Sequence, residues 1–195
     1  KDSFVYLTQS KYLGYIAILV IAYGISINLI EVTWKSQLKL LYPTTQEYAN
    51  FMGNYSRMIA WTTIFMMLFV TSNVVRRFGW GVAAQITPTV LFITGAIFFT
   101  LVIFKSSFEP MIVEMGGSLL VIAVIVGTIQ NVMSKASKYS LFDPTKEMAY
   151  IPLDQESKVK GKAAIDVVGS RLGKAGGSLV QIALFTMVGP LAVVT

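Results

Sequence analysis

The chain has 195 residues, 54% hydrophobic and only 13% charged, with a mean hydropathy of +0.64, whereas an ordinary water-soluble domain carries about 25% charged residues. It contains no cysteine and no histidine; this excludes disulfides and thiolate metal sites, removes the side chain that titrates near neutrality and leaves carboxylates to carry any proton coupling. A net charge of +6 suits anionic headgroups or an anionic solute, and in so apolar a chain it does not point to nucleic acid.

Uncharged runs extend over Tyr12–Ile30, Met58–Val75, Phe78–Phe104, Met115–Ser134 and Ala175–Thr195, each about the length a bilayer-crossing helix needs. The expected fold is therefore an all-α integral membrane bundle with five crossings and no cleavable leader. Lys11, Arg76, Arg77, Lys135, Lys138, Lys146 and the lysines at 158, 160 and 162 fall on one side of such a topology, and Lys35, Lys39 and Lys105 on the other. The basic excess marks the first side as cytoplasmic. An odd number of crossings and a first residue that is lysine lead to the expectation of a longer parent chain.

In the first run Gly24, Asn28, Glu31 and Lys35 share a helical face. Glu31 and Lys35 read either as an i, i+4 pair at the outer interface or as a functional carboxylate at membrane depth. Asn50, Asn54, Arg57 and Trp61 repeat the pattern; Arg57 either reaches out to headgroups or faces a site. The uncharged third run suits the lipid-facing periphery. The fourth ends in Gln130, Asn131 and Lys135, with Asn131 facing a cavity or bonding a neighbouring helix.

The stretch 137–166 holds ten charged side chains and two prolines, Pro144 and Pro152. It is expected to form a cytoplasmic connector, 135–161, with a short amphipathic helix broken at the prolines, its charges forming a latch or a solvated linker. Beyond it, Gly169, Gly173 and Gly177 recur every fourth residue, a ridge on which another helix can pack closely. Asp166, Arg171 and Lys174 occupy the other faces. They lie within the membrane if the helix enters near Lys162, and in the cytosol if it enters near Ala175. The string GSRLGKAGG (169–177) fails as a phosphate-binding loop: its glycine spacing is one short, Ala175 replaces the magnesium-binding hydroxyl, and no strand precedes it.

The loop RRFGWG (76–81) resembles the short basic loop of major facilitator transporters. YGISINLIEVTWKSQLK, FGWGVAAQITPTVL and the whole signature SKYSLFDPTKEMAYIPLDQESKVKGKAAIDVVGSRLGKAGGSLVQ resemble the ATP/ADP translocases of obligate intracellular bacteria, the chlamydial type above all, and of plant plastids. That resemblance covers essentially the whole chain. It implies a twelve-helix, major-facilitator-like carrier exchanging ATP for ADP by alternating access, without hydrolysis or cofactor. This chain would supply helices seven to eleven of its C-terminal half, residues 1–195, with the N-terminal half and membrane lipid as partners. The setting would be the inner membrane of an intracellular bacterium or the plastid inner envelope. The resemblance places functional residues at Glu31 and Lys174, Lys174 contacting phosphate with Arg171 and Lys35 in reserve. Asn28, Arg57, Asn131, Lys135 and Asp166 are secondary candidates. The alternatives are a nucleotide:proton symporter or broader nucleotide importer of the same family, a non-transporting membrane scaffold, or a soluble nucleotide-binding enzyme, against which the apolar runs argue.

Overall fold

A computed structural model describes residues 10–188, apart from the side chains of Val168, Ser170, Lys174 and residues 184–188. Every regular element among the described residues is helical. Helix α1 (Lys11–Leu41) starts where the Ser10 hydroxyl accepts the Leu13 N–H, and α2 (Thr45–Phe65) where Thr44 accepts that of Glu47. Both satisfy amide donors that a helix start leaves unpaired. After a π turn, Met66–Thr71, follows α3 (Ser72–Ile103), then the short α4 (Lys105–Glu114) and α5 (Leu119–Ser137). A second π turn, Lys138–Phe142, leads into α6 (Asp143–Ala149), and α7 (Gln155–Val188) follows.

Among the described residues three helical runs are long and apolar enough to cross a membrane: Lys11–Leu41, Thr45–Ile103 and Leu119–Ala149. The second and third expected runs are thus one helical stretch of 59 residues, which would be nearly 90 Å long if straight. It is not straight. Gly79, in the RRFGWG loop, has φ +80° and ψ 173°, a conformation open chiefly to glycine. The chain doubles back there, as three side chains bonding the Leu119–Ala149 run show. Thr71 Oγ1 donates to the Ser140 carbonyl (2.8 Å), Trp80 Nε1 to that of Thr145 (2.9 Å) and Thr87 Oγ1 to that of Ser137 (3.1 Å). Contact moves down the central helix and then back up it.

Leu119–Ala149 is that central helix, packed against α1, α2 and α3. Pro144 does not break it: it follows directly on the π turn, and the Ser140 carbonyl four residues before it accepts the Thr71 hydroxyl at 2.8 Å instead, the kind of local adjustment and side-chain bond that lets a helix keep a proline. The expected connector is therefore helical to Ala149, with Ser140, Leu141, Phe142 and Thr145 buried. Only residues 150–154 separate the helices on either side. There Tyr150 packs with Leu13, Ala17 and Ile165, and Asp154 Oδ2 accepts the Ser157 N–H at 3.0 Å, capping the start of α7.

That bond, the first of several from the backbone, holds the Asp154 carboxyl below its usual range. A carboxyl whose pKa is depressed on folding contributes fully above its unfolded pKa and loses the contribution as pH falls through the folded value. A spin label at position 158 is expected to stay ordered at neutral pH and to gain mobility below the ordinary aspartate range. Asp154→Ala should give that mobility at every pH.

The core centres on Trp34, fully buried, whose Nε1 donates to Thr128 Oγ1 (3.1 Å) and whose ring lies 4.7 Å from that of Tyr55. Gly127 makes room for it: a Cβ there would stand 2.5 Å from Trp34 Cδ1 and 2.8 Å from Phe98 Cε2. Gly127→Ala is expected to cost about 1–3 kcal/mol, as overpacked cores do, seen as a lowered Tm. The uncharged part of α3, from Phe78 on, buries one face only (Ala83, Thr87, Leu91, Gly95, Phe98) and exposes Phe92, Ile93 and Ile97, in keeping with a peripheral position.

Candidate functional site

The glycine ridge of α7 meets α1 in a fixed register. A Cβ on Gly161 would touch Leu13, on Gly169 Val20, on Gly173 the Cα of Gly24 at 3.0 Å, and on Gly177 Asn28. The numbers rise together, so α1 and α7 are parallel. Gly161 lies opposite Leu13, level with the start of the uncharged run of α1. Positions 166 to 174 stand opposite the stretch of α1 from about Ala17 to Ile25.

Below this contact a cleft of about 360 Å³ opens between α1, the π turn at 138–142, α6 and α7. Asn28, Glu31, Lys138, Asp143, Lys146 and Asp166 supply its polar walls. Glu31 sits at one end in a three-way arrangement. One carboxylate oxygen is 2.7 Å from Lys35 Nζ and the other 3.1 Å from Lys135 Nζ, and the Lys135 ammonium also lies 5.4 Å from the centre of the Tyr55 ring, within cation–π range. The i, i+4 pair therefore exists, but as half of a bridge between helices. Lys135 is no end-of-helix charge, because α5 and α6 carry the helix on for another fourteen residues. Its contact with Glu31 sets the two at one depth.

The other end of the cleft is closed by two more pairs. Lys138 lies 2.6 Å from Asp143, and Lys146 on α6 lies 2.8 Å from Asp166 on α7. Lys162 and Glu147 form a similar link at 2.6 Å. Among the described residues in and beside the cleft, three carboxylates (Glu31, Asp143, Asp166) thus face four lysines (Lys35, Lys135, Lys138, Lys146). Two polar atoms of residues in its wall, Tyr23 Oη and Asn28 Oδ1, are buried without a hydrogen-bond partner among the described residues, and Tyr23 stacks on Phe142 at 5.1 Å.

The structure brings Asn28, Glu31, Lys35, Lys135 and Asp166 together and leaves other candidates apart. Arg171 is exposed and does not line the cleft. Arg57 donates to Asn54 Oδ1 and lines a separate cavity of about 730 Å³ with Trp61 and Met133. Asn131 is fully buried and neither faces a cavity described here nor reaches another helix; its amide donates to the Gly127 carbonyl of its own helix at 2.8 Å. Lys174 follows Gly173 on α7, and its side chain lies outside those described. Sequence reasoning missed Tyr23, Lys138, Asp143 and Lys146. The apolar positions Leu141, Phe142, Thr145 and Ala149, buried beside those charges, were the signal that the connector is packed.

The string 169–177 is continuous helix, so no anion-cradling loop forms there. Across residues 1–195 the chain matches the family described as TLC ATP/ADP transporter. It belongs to that family. ADP,ATP carrier protein 1 of Chlamydia pneumoniae is 55% identical over 195 residues, which is 100% of this chain and 38% of that carrier. ADP,ATP carrier protein 2, chloroplastic, of Arabidopsis thaliana is 53% identical over 191 residues, 98% of this chain and 31% of that protein. ADP,ATP carrier protein 1 of Rickettsia prowazekii is 50% identical over 179 residues, 91% of this chain and 36% of its own. The chain therefore spans about a third of the length of these relatives. No solved structure matches it. Its long apolar helices are in accord with membership in a transporter family.

Proposed function

We infer that this chain is the larger part of one half of an ATP:ADP antiporter, which exchanges the two nucleotides across a membrane by alternating access and hydrolyses neither. The observation that carries this reading is the match along all 195 residues to a family of that description, joined to a charged cleft between long apolar helices. Relatives named as chlamydial, rickettsial and chloroplastic carriers make the membrane of an intracellular bacterium or a plastid envelope its setting.

The parallel pair bears on the topology. Two parallel helices that both cross a bilayer need an odd number of crossings between them. The two arms of the hairpin at Gly79 and the run Leu119–Ala149 supply three, which supports five crossings, helices seven to eleven of a major-facilitator-like twelve. In such carriers the substrate site lies near the bilayer midplane and the halves rock about it.

Within that frame Glu31 has the role of a switchable anchor. Its carboxylate holds Lys35 and Lys135 in the present state and releases one of them in another. Lys174 is the phosphate contact, at a level opposite the middle of α1, with Lys35 and Arg171 as further cations. The N-terminal half closes the site from the other side.

The test is uptake of labelled ATP by liposomes containing the full-length carrier. Uptake is expected only when ADP is present in the lumen. Equal uptake into empty liposomes would exclude obligatory exchange, and a requirement for a proton gradient would favour symport.

A further inference from the structure

We propose that Lys138 and Lys146 are phosphate ligands of the cleft, and that Asp143 and Asp166 are internal stand-ins for phosphate, holding the two ammonium groups until a nucleotide polyphosphate displaces them. This deepens the functional reading above and rests on it.

Geometry is the first ground. Both lysines and both carboxylates line one cleft of about 360 Å³, at 2.6 and 2.8 Å within each pair. An ammonium has three donors, so a single carboxylate contact leaves donors for other acceptors. The Lys146 side chain is only 12% exposed, so water does little to screen it, and an anion that takes the place of Asp166 meets its charge with little screening.

Asymmetry within the second pair is another ground. Asp166 is 44% exposed against 12% for Lys146. The carboxylate is the partner that can leave, because water receives it at little cost, whereas the ammonium left alone would be stranded. A polyphosphate is the anion that makes the exchange favourable. It presents several strong acceptor oxygens and more charge than a carboxylate, and charge-assisted contacts of this kind are the stronger hydrogen bonds.

The third ground is the pair of unsatisfied atoms. Tyr23 Oη and Asn28 Oδ1 are buried in the same wall with no partner among the described residues, although buried polar groups are as a rule hydrogen-bonded. A hydroxyl and an amide carbonyl suit the donors and acceptors of a ribose or a base. From Val20, opposite Gly169, to Glu31 the cleft follows eleven residues of α1, about 16 Å at 1.5 Å per residue. The polyphosphate then lies at the Lys138 and Lys146 end and the nucleoside toward Asn28.

The experiment is equilibrium binding of labelled ATP, and of labelled AMP in parallel, to the purified full-length carrier in detergent. The proteins compared are wild type, Lys138→Gln, Lys146→Gln, Lys146→Arg, Asp143→Asn and Asp166→Asn, each checked for a single sharp size-exclusion peak. The lysine-to-glutamine changes are expected to weaken ATP binding at least tenfold and AMP binding much less. Arginine at 146 should restore most of the loss. The asparagine variants should bind ATP as tightly as wild type or several-fold more tightly, because a competitor has been removed.

Opposite signs for the two partners of a pair are what a merely structural salt bridge cannot give. If lysine and aspartate variants weaken binding alike, or if the glutamine variants bind ATP within twofold of wild type, the proposal is overturned. A wild-type carrier that binds ATP but does not exchange it defeats the antiport reading and leaves this test intact. One that binds no ATP defeats both.

Discussion

Gly173→Leu is expected to separate α1 from α7 and to abolish exchange. The added Cβ alone would stand 3.0 Å from Gly24 Cα and 3.3 Å from its carbonyl carbon. These are backbone atoms, which cannot rotate aside as a side chain does, so the helices themselves must part. Overpacking of a well-filled interior costs about 1–3 kcal/mol, and leucine at a backbone contact should reach the upper end or beyond. The change should also pull Asp166 away from Lys146 and widen the cleft. Measured in detergent, Tm should fall by several degrees and ATP uptake in liposomes should be lost. Gly53→Ala is the matched control, because a Cβ there meets nothing within 4 Å and alanine has the better helix propensity. Retention of wild-type Tm and uptake in Gly173→Leu would mean that the close parallel contact is absent.

Glu31→Gln should reduce exchange at least tenfold while leaving the carrier folded. Glutamine keeps the shape of the side chain but not the charge that both Lys35 and Lys135 use, at 2.7 and 3.1 Å. Losing one partner of a buried pair costs about 3–5 kcal/mol; with Glu31 26% and Lys135 22% exposed, about 1–2 kcal/mol is the fitting figure after allowance for solvent. Lys135 retains its place over the Tyr55 ring, so the fold survives. The double variant Glu31→Gln/Lys135→Gln should recover the lost stability without recovering transport. That result separates a working carboxylate from a staple. Recovery of both together would assign the pair to folding alone.

Much of this arrangement was legible in the sequence, for reasons that differ from residue to residue. The i, i+4 repeat of Gly169, Gly173 and Gly177 announced a close helix contact because small residues at that spacing have few other uses in a membrane; what it could not give was the partner or the direction, since any helix with a matching face would serve. Glu31 stood out because a carboxylate in an apolar run is costly. Its bridge to Lys135 was hidden, because the charges from 135 onward resembled a solvated connector. Pro144 strengthened that impression by suggesting a helix end, whereas it lies within the central helix just after the π turn, where Thr71 takes up the Ser140 carbonyl. The hairpin at Gly79 was read correctly as a turn. The uncharged run Met58–Val75 already carried a helix almost to that glycine.

The π turn at 138–142 explains the remaining difficulty and has a mechanical consequence. A π turn takes in one more residue than an α turn, and each residue of an α-helix advances the face by about 100°. The apolar positions before and after it therefore fall out of step when counted as one helix, although in space they share a side. Any rewinding of that turn into ordinary α geometry would swing Lys146 and Glu147 through about the same angle, off Asp166 and Lys162. The wide turn is in this sense a rotary joint, in which a small change of pitch in the central helix becomes a change of electrostatic partner at the mouth of the cleft.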